Sequence, residues 1–178
     1  AELLRHSDED GEVALMLVRA YQERALARWT PEHSDQALED LNRAVALCAV
    51  QGELAQSLLA GLFEARATMH SRRSEHSAAA ADIGRALAYL GDSEPQRSAQ
   101  LLWMRASTSN FDSSAWLDLK QLEEMAHLSV ELRAPLRNLQ ARWLVQHGFG
   151  SRAASLVAEA VVELQRLYSQ LPLDEQPA

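Results

Sequence analysis

The chain is short of the residues that interrupt helices and of those that commit a protein to redox or phosphate chemistry. Among its 178 residues are seven glycines, five prolines, one cysteine and one lysine, Lys120. Few helix breakers, abundant Ala, Leu, Arg, Glu and Gln, and no convincing run of alternating β-branched residues exclude a strand-built domain and predict helices. The lone Cys48, in "VALCAV", cannot form an internal disulfide and gives no sign of an oxidising compartment; it reads as a small core residue. Basic residues are outnumbered, 17 against 25 acidic, for a net charge of −8. That balance argues against a nucleic-acid or anionic-membrane surface, which needs clustered cations. The near-absence of lysine fits the compositional drift of a GC-rich bacterial genome. Long apolar runs are missing too: "VALMLV" at 13–18 falls well below the roughly 20 residues of a membrane helix. No basic start followed by an apolar stretch marks a signal peptide. The expectation is a cytoplasmic chain, and its opening without methionine suggests one module of a longer protein.

What is present is repetition. "ALEDLNRAVAL" at 37–47 returns as "AAADIGRALAY" at 79–89, with Ala37/Ala79, Asp40/Asp82, Arg43/Arg85, Ala44/Ala86 and Ala46/Ala88 identical. Breaker clusters at 7–12, 30–35, 51–53, 71–77, 91–95, 109–114, 133–135 and 147–151 cut the chain into eight helical segments. Pro31, Pro95 and Pro135 suit a first helical turn, and Ser34, Ser93 and Ser151 suit N-caps. The second helix of each pair carries a small residue, then apolar residues: Ala37/Leu41/Ala44, Ala79/Ile83/Ala86, Ala115/Leu119/Leu122 and Ala153/Val157/Ala160. The first helix carries Ala25, Ala67, Ala106 or Ala141. The step between the two alanines is 12, 12, 9 and 12 residues. Short side chains at matched places let two helices approach closely, so these alanines predict four helix hairpins.

These residues resemble the tetratricopeptide repeat, a pair of antiparallel helices with small residues at three set places and a bulky apolar residue at a fourth. The last unit matches most fully, through Ala141, Leu144, Gly148, Ala153, Val157 and Ala160. The third has a shortened turn and Leu122 where a small residue is usual. No unit has the family's Trp-Leu-Gly run, and the second-helix alanines are 42, 36 and 38 residues apart where the family has 34. The resemblance is to the longer, degenerate repeats of bacterial signalling and transcriptional regulators. It implies an all-α solenoid of about four antiparallel helix pairs in a right-handed superhelix. Its bounds are a tail at 1–11, a repeat domain at 12–171 with units at 18–51, 60–91, 99–131 and 134–171, and a tail at 172–178.

Chemistry-bearing patterns are scarce. The six histidines, His6, His33, His70, His76, His127 and His147, form no HExxH and no pair three or four apart. His70 and His76 flank a turn and read as exposed turn residues before ligands. There is no Gly-x-Ser-x-Gly elbow and no P-loop; Gly148-Phe149-Gly150 reads as a turn. Adjacent carboxylates such as Glu39/Asp40 point about 100° apart on a helix. No enzyme activity, cofactor or metal is expected.

The resemblance places a binding surface on the concave face lined by first helices. Carried over position by position, it gives Arg19, Gln22, Leu26 and Trp29; Glu64 and Thr68; Trp103, Ser107 and Asn110; and Asn138 and Arg142. It implies a protein or peptide segment as partner, with no direct nucleic-acid or membrane binding. Trp29 and Trp103 read equally as core residues, and Trp116 and Trp143 as packing between neighbouring helices. Arg24, Arg66 and Arg105 are expected to snorkel or pair with acids such as Glu23 or Glu64. Asp40/Arg43 and Asp82/Arg85, three apart on one helix, are expected to make weak surface pairs. Leu156, Ala160, Leu164, Leu167 and Leu171 form a stripe expected to pack on preceding helices, with self-association as its other use. Two further readings stand beside the scaffold: a small-molecule-sensing or signal-relay module controlling an output domain, and a helical-bundle enzyme or metal protein.

Overall fold

The computed structural model describes residues 2–108, 113–125 and 133–169; Asn110, His127, Leu171, the ends of the third and fourth expected units and the expected tail at 172–178 lie outside them. Among the described residues there are eight α-helices and no strand: α1 (Glu2–Ala27), α2 (Ser34–Ala49), α3 (Gln56–Arg72), α4 (His76–Leu90), α5 (Pro95–Thr108), α6 (Ser113–Met125), α7 (Arg133–Gln146) and α8 (Gly150–Tyr168). No helix among them is long and apolar enough to cross a membrane. The fold of the described residues is all-α, and within each unit consecutive helices pack on one another in a solenoid-like way. The chain divides into two compact units, one ending at Leu101 and the other beginning at Leu102.

In the first unit α1 packs on α2, α2 on α3 and α3 on α4. The expected alanines lie inside this packing: Ala25, Ala37, Ala44, Ala67, Ala79 and Ala86 have no exposed surface. Leu41, Leu62 and Ile83 fill the space between and are equally buried. Cutting any one of them to alanine removes about 2 to 5 kcal/mol through lost burial and the cavity left behind. Cys48 is part of this core, with its thiol donating to the Ala55 carbonyl at 3.6 Å. Burial pushes that thiol's pKa up from its ordinary value.

In the second unit α6 packs on α7 and α7 on α8. Ala141, Leu144 and Ala153 form its buried centre there, and Trp116, Trp143 and Leu156 close over them. The rings of Trp116 and Trp143 lie 4.7 Å apart, so these two tryptophans join neighbouring helices as their spacing predicts. Leu122, which stands where the resembled repeat usually has a small residue, is buried.

Helix ends follow backbone chemistry more than serine caps. Residues 7–12 do not interrupt the first helix: α1 runs unbroken from Glu2. Ser34 donates its hydroxyl to the Pro31 carbonyl and Ser93 to the Leu90 carbonyl, while Ser151 lies inside α8. Ser93 thus closes the end of α4 where a cap for α5 was expected. The α7–α8 turn is a Schellman closure: Phe149 N–H reaches the Leu144 carbonyl at 2.8 Å, and Gly148 sits at φ 83°. The α3–α4 turn repeats it seven residues after the matching alanine, with Glu75 N–H on the His70 carbonyl at 2.9 Å. There Ser74 holds the left-handed place at φ 60°, a conformation glycine adopts without cost.

Candidate partner-binding site

Three hairpins share a device that sequence reasoning missed. Arg24 on α1 donates from Nε and Nη2 to the two carboxylate oxygens of Asp40 on α2, at 2.7 and 2.5 Å. Arg66 on α3 grips Asp82 on α4 with the same atoms, both at 2.7 Å. Arg105 on α5 grips Asp118 on α6 likewise, at 2.8 and 2.6 Å. Each arginine directly precedes the first-helix alanine, and each aspartate follows the second-helix alanine by three. All three aspartates are buried. A desolvated carboxylate is tolerated only when paired and hydrogen-bonded, and the bidentate fork of arginine supplies both conditions. For Asp40 the Arg24 hydrogen bonds outweigh burial and hold the carboxyl below its ordinary pKa.

This corrects the expected pairings. Arg24 and Arg66 reach across to the neighbouring helix, and neither takes Glu23 or Glu64. Arg43 pairs with Glu39 at 2.5 Å, while Arg85 does join Asp82, at 2.7 Å. Arg66 also donates to Asn42 on α2 at 2.7 Å, tying one hairpin to the next inside the first unit. These carboxylates have both oxygens engaged in holding helices together. Among the described residues no three His, Cys, Asp or Glu side chains converge to hold a metal ion. His70 lies between two carboxylates, with Nδ1 2.5 Å from Glu75 and Nε2 3.8 Å from Asp82.

The expected binding residues fall into two groups. In the first unit several are occupied by intramolecular contacts. Arg97 lies across Gly61, where a Cβ would come within 3.3 Å of Nη2, and bonds Glu64 at 2.9 Å. Thr68 donates to the Glu64 carbonyl, and the Arg72 guanidinium stacks 4.4 Å from the centre of the half-buried Trp29 ring. Arg19 and Leu26 are exposed on α1, and Gln22 is half-buried beside them. In the second unit Trp103 is half-buried, and its carbonyl accepts from the exposed Ser107 hydroxyl at 2.8 Å. Trp143 stacks on His147 at 3.8 Å.

Asn138 and Arg142, by contrast, stand together with Val145 on α7, along an open groove of about 800 Å³ whose other wall is Ala154, Val157 and Ala158 of α8. Four residues after the second-helix alanine, Leu41, Ile83 and Leu119 are wholly buried, yet Val157 is 45% exposed. Val145 is 63% exposed and Val161 47%, so this apolar face continues along α8. The expected stripe on α8 divides accordingly: Ala160 is buried and Leu156 packs on the core, whereas Leu164 stays 40% exposed. The side chain of Leu167 lies outside the described residues. No protein-family model matches this chain, and no curated protein matches it in a sequence search.

Proposed function

We propose that the chain is a non-catalytic scaffold of tetratricopeptide type that holds a protein or peptide segment in the α7–α8 groove. It would act as the interaction module of a larger bacterial regulatory protein in the cytoplasm. The observation that carries this reading is the exposed Val157: the repeat position that seals the core in three hairpins lies open in the fourth, beside a polar edge of Asn138 and Arg142. An apolar floor with few polar groups at its rim suits a segment that buries one or two apolar side chains and satisfies its backbone on the rim. Arginine is also a frequent anchor at interfaces.

A peptide-array screen followed by titration of the best binder tests the proposal. Arg142→Glu and Val157→Asp should each weaken binding at least tenfold, about 1.4 kcal/mol, with folding retained. Unchanged affinity in both variants, or no peptide captured by the intact chain, would sink the groove as the binding surface.

A further inference from the structure

The first unit contains a second candidate site, independent of the α7–α8 groove. A cavity of about 550 Å³ opens between the α1–α2 turn and the end of α3, with Trp29, Pro31 and Met69 supplying apolar wall and Arg72 and Arg73 supplying charge. That volume falls within the usual range of small-molecule pockets.

We propose that this cavity binds a small planar carboxylate, which stacks against the Trp29–Arg72 pair and takes a bidentate hydrogen bond from the Arg72 guanidinium. Of the first unit's arginines with described side chains, Arg19 and Arg72 alone reach no carboxylate among the described residues, and of these two only Arg72 lines the cavity. Arg24, Arg28, Arg43, Arg66, Arg85 and Arg97 each reach a carboxylate. So does Arg73, which bridges Asp35 and Glu75, the latter at 2.7 Å. The second oxygen of Glu75 meets His70, so both oxygens of that carboxylate are engaged away from Arg72. Arg72 lines the same cavity, is exposed, and has no carboxylate partner among the described residues.

Its geometry is suited to a ligand. Stacking on an indole uses the face of a guanidinium and leaves its in-plane N–H donors for a carboxylate or phosphate. The apolar wall beside it favours a ligand with a flat hydrophobic body over a bare anion. Trp29 was expected to face a partner through the repeat resemblance; the cavity gives it a smaller one, and this inference stands or falls separately from the groove.

The test is a titration of ¹⁵N-labelled protein followed at the indole N–H signals, with Trp29 assigned through Trp29→Phe. Three probes are used: indole-3-carboxylate, its neutral amide indole-3-carboxamide, and inorganic phosphate. The carboxylate should give saturable shifts at the Trp29 signal, while the amide binds at least tenfold more weakly. Arg72→Gln should lose tenfold or more for the carboxylate with an unchanged melting temperature, and Arg72→Lys should recover only part of that loss. No saturation by the carboxylate up to about 10 mM would overturn the proposal. So would equal binding of carboxylate and amide, or undiminished binding to Arg72→Gln. Phosphate binding as tightly as the aryl carboxylate would overturn the planar ligand class.

Discussion

The hairpin α3/α4 and the hairpin α7/α8 place the same alanines at the same steps and close with the same kind of turn, yet they hold together by different means. In α3/α4 the helices are cross-linked by a buried carboxylate between two arginines, Arg66 and Arg85. In α7/α8 the corresponding places are Gln140 and Leu156: the glutamine is buried and reaches Glu123 on α6 at 3.3 Å, the leucine packs on the core, and the ion pairs lie elsewhere, with Glu163 of α8 between Arg133 and Arg137 of α7 at 3.5 and 2.9 Å. One hairpin seals its second helix with a fully buried Ile83, and the other leaves Val157 open. The contrast teaches that the alanine register and the ion pair are separate devices: the same alanine steps serve whether the carboxylate stands in the register, as Asp82 does, or off it, as Glu163 does. The hairpin whose ion pairs lie off the alanine register is also the one with an open apolar groove.

Breaking the cross-link should have the largest effect. Arg66→Met leaves the buried Asp82 short of its main partner, and about 3 to 5 kcal/mol should be lost, read as a lower urea midpoint at unchanged slope. Gln140→Met, at the matching place of α7, leaves no buried charge behind and should cost clearly less. Equal losses would mean that the ion pair contributes only its packing.

Acid should sharpen the same contrast. Because Arg24 lowers the folded pKa of Asp40, the stabilisation is complete above the unfolded value near 3.8 and is lost as pH falls through the lower folded value. Urea midpoints measured from about pH 5 down to pH 2 should fall for the native chain and fall less steeply for Asp40→Asn. An identical slope in the two would remove Asp40 from the acid transition.

The two turns predict a smaller, opposite pair of effects. Ser74→Gly should stabilise by about 1 kcal/mol by relieving a left-handed non-glycine residue, and Gly148→Ala should destabilise by about as much. Thermal melts distinguish these signs directly. Smallest of all, Glu39→Ala removes an exposed pair with Arg43 and should shift stability by about 0.3 to 0.5 kcal/mol. A loss several times larger would show that surface pairs on α2 form a network with Asp40.

Much of the fold was legible because alanine spacing is a local signal with a global consequence. Ala25 and Ala37 twelve residues apart, repeated as Ala67 and Ala79, require two helices and a short turn between them. The glycine turn at 148–150 was equally plain. The cross-links were not, because sequence spacing reveals pairs within about four residues on one helix, such as Arg24 with Glu23, while Arg24–Asp40 and Arg66–Asp82 span 16 residues and Arg105–Asp118 spans 13. A signal did exist. Arginine before the first alanine and aspartate three after the second occur together in three units and are both missing from the fourth. The unbroken α1 escaped for another reason: Gly11 and the polar run before it weaken helix propensity by only about 1 kcal/mol at the glycine, too little to stop a helix. The groove was half legible, since α7 was placed through Asn138 and Arg142, but the exposure of Val157 depends on what packs beside it.

Cys48 gives the first unit something the second lacks. Its thiol is shut between α2 and the start of α3, and burial disfavours the thiolate that alkylating reagents attack. Labelling therefore has to wait for that part of the chain to open, and with no other cysteine the modification counts openings of one place alone. The single thiol is in effect a clock for native-state breathing, readable by mass spectrometry without adding any probe to the chain.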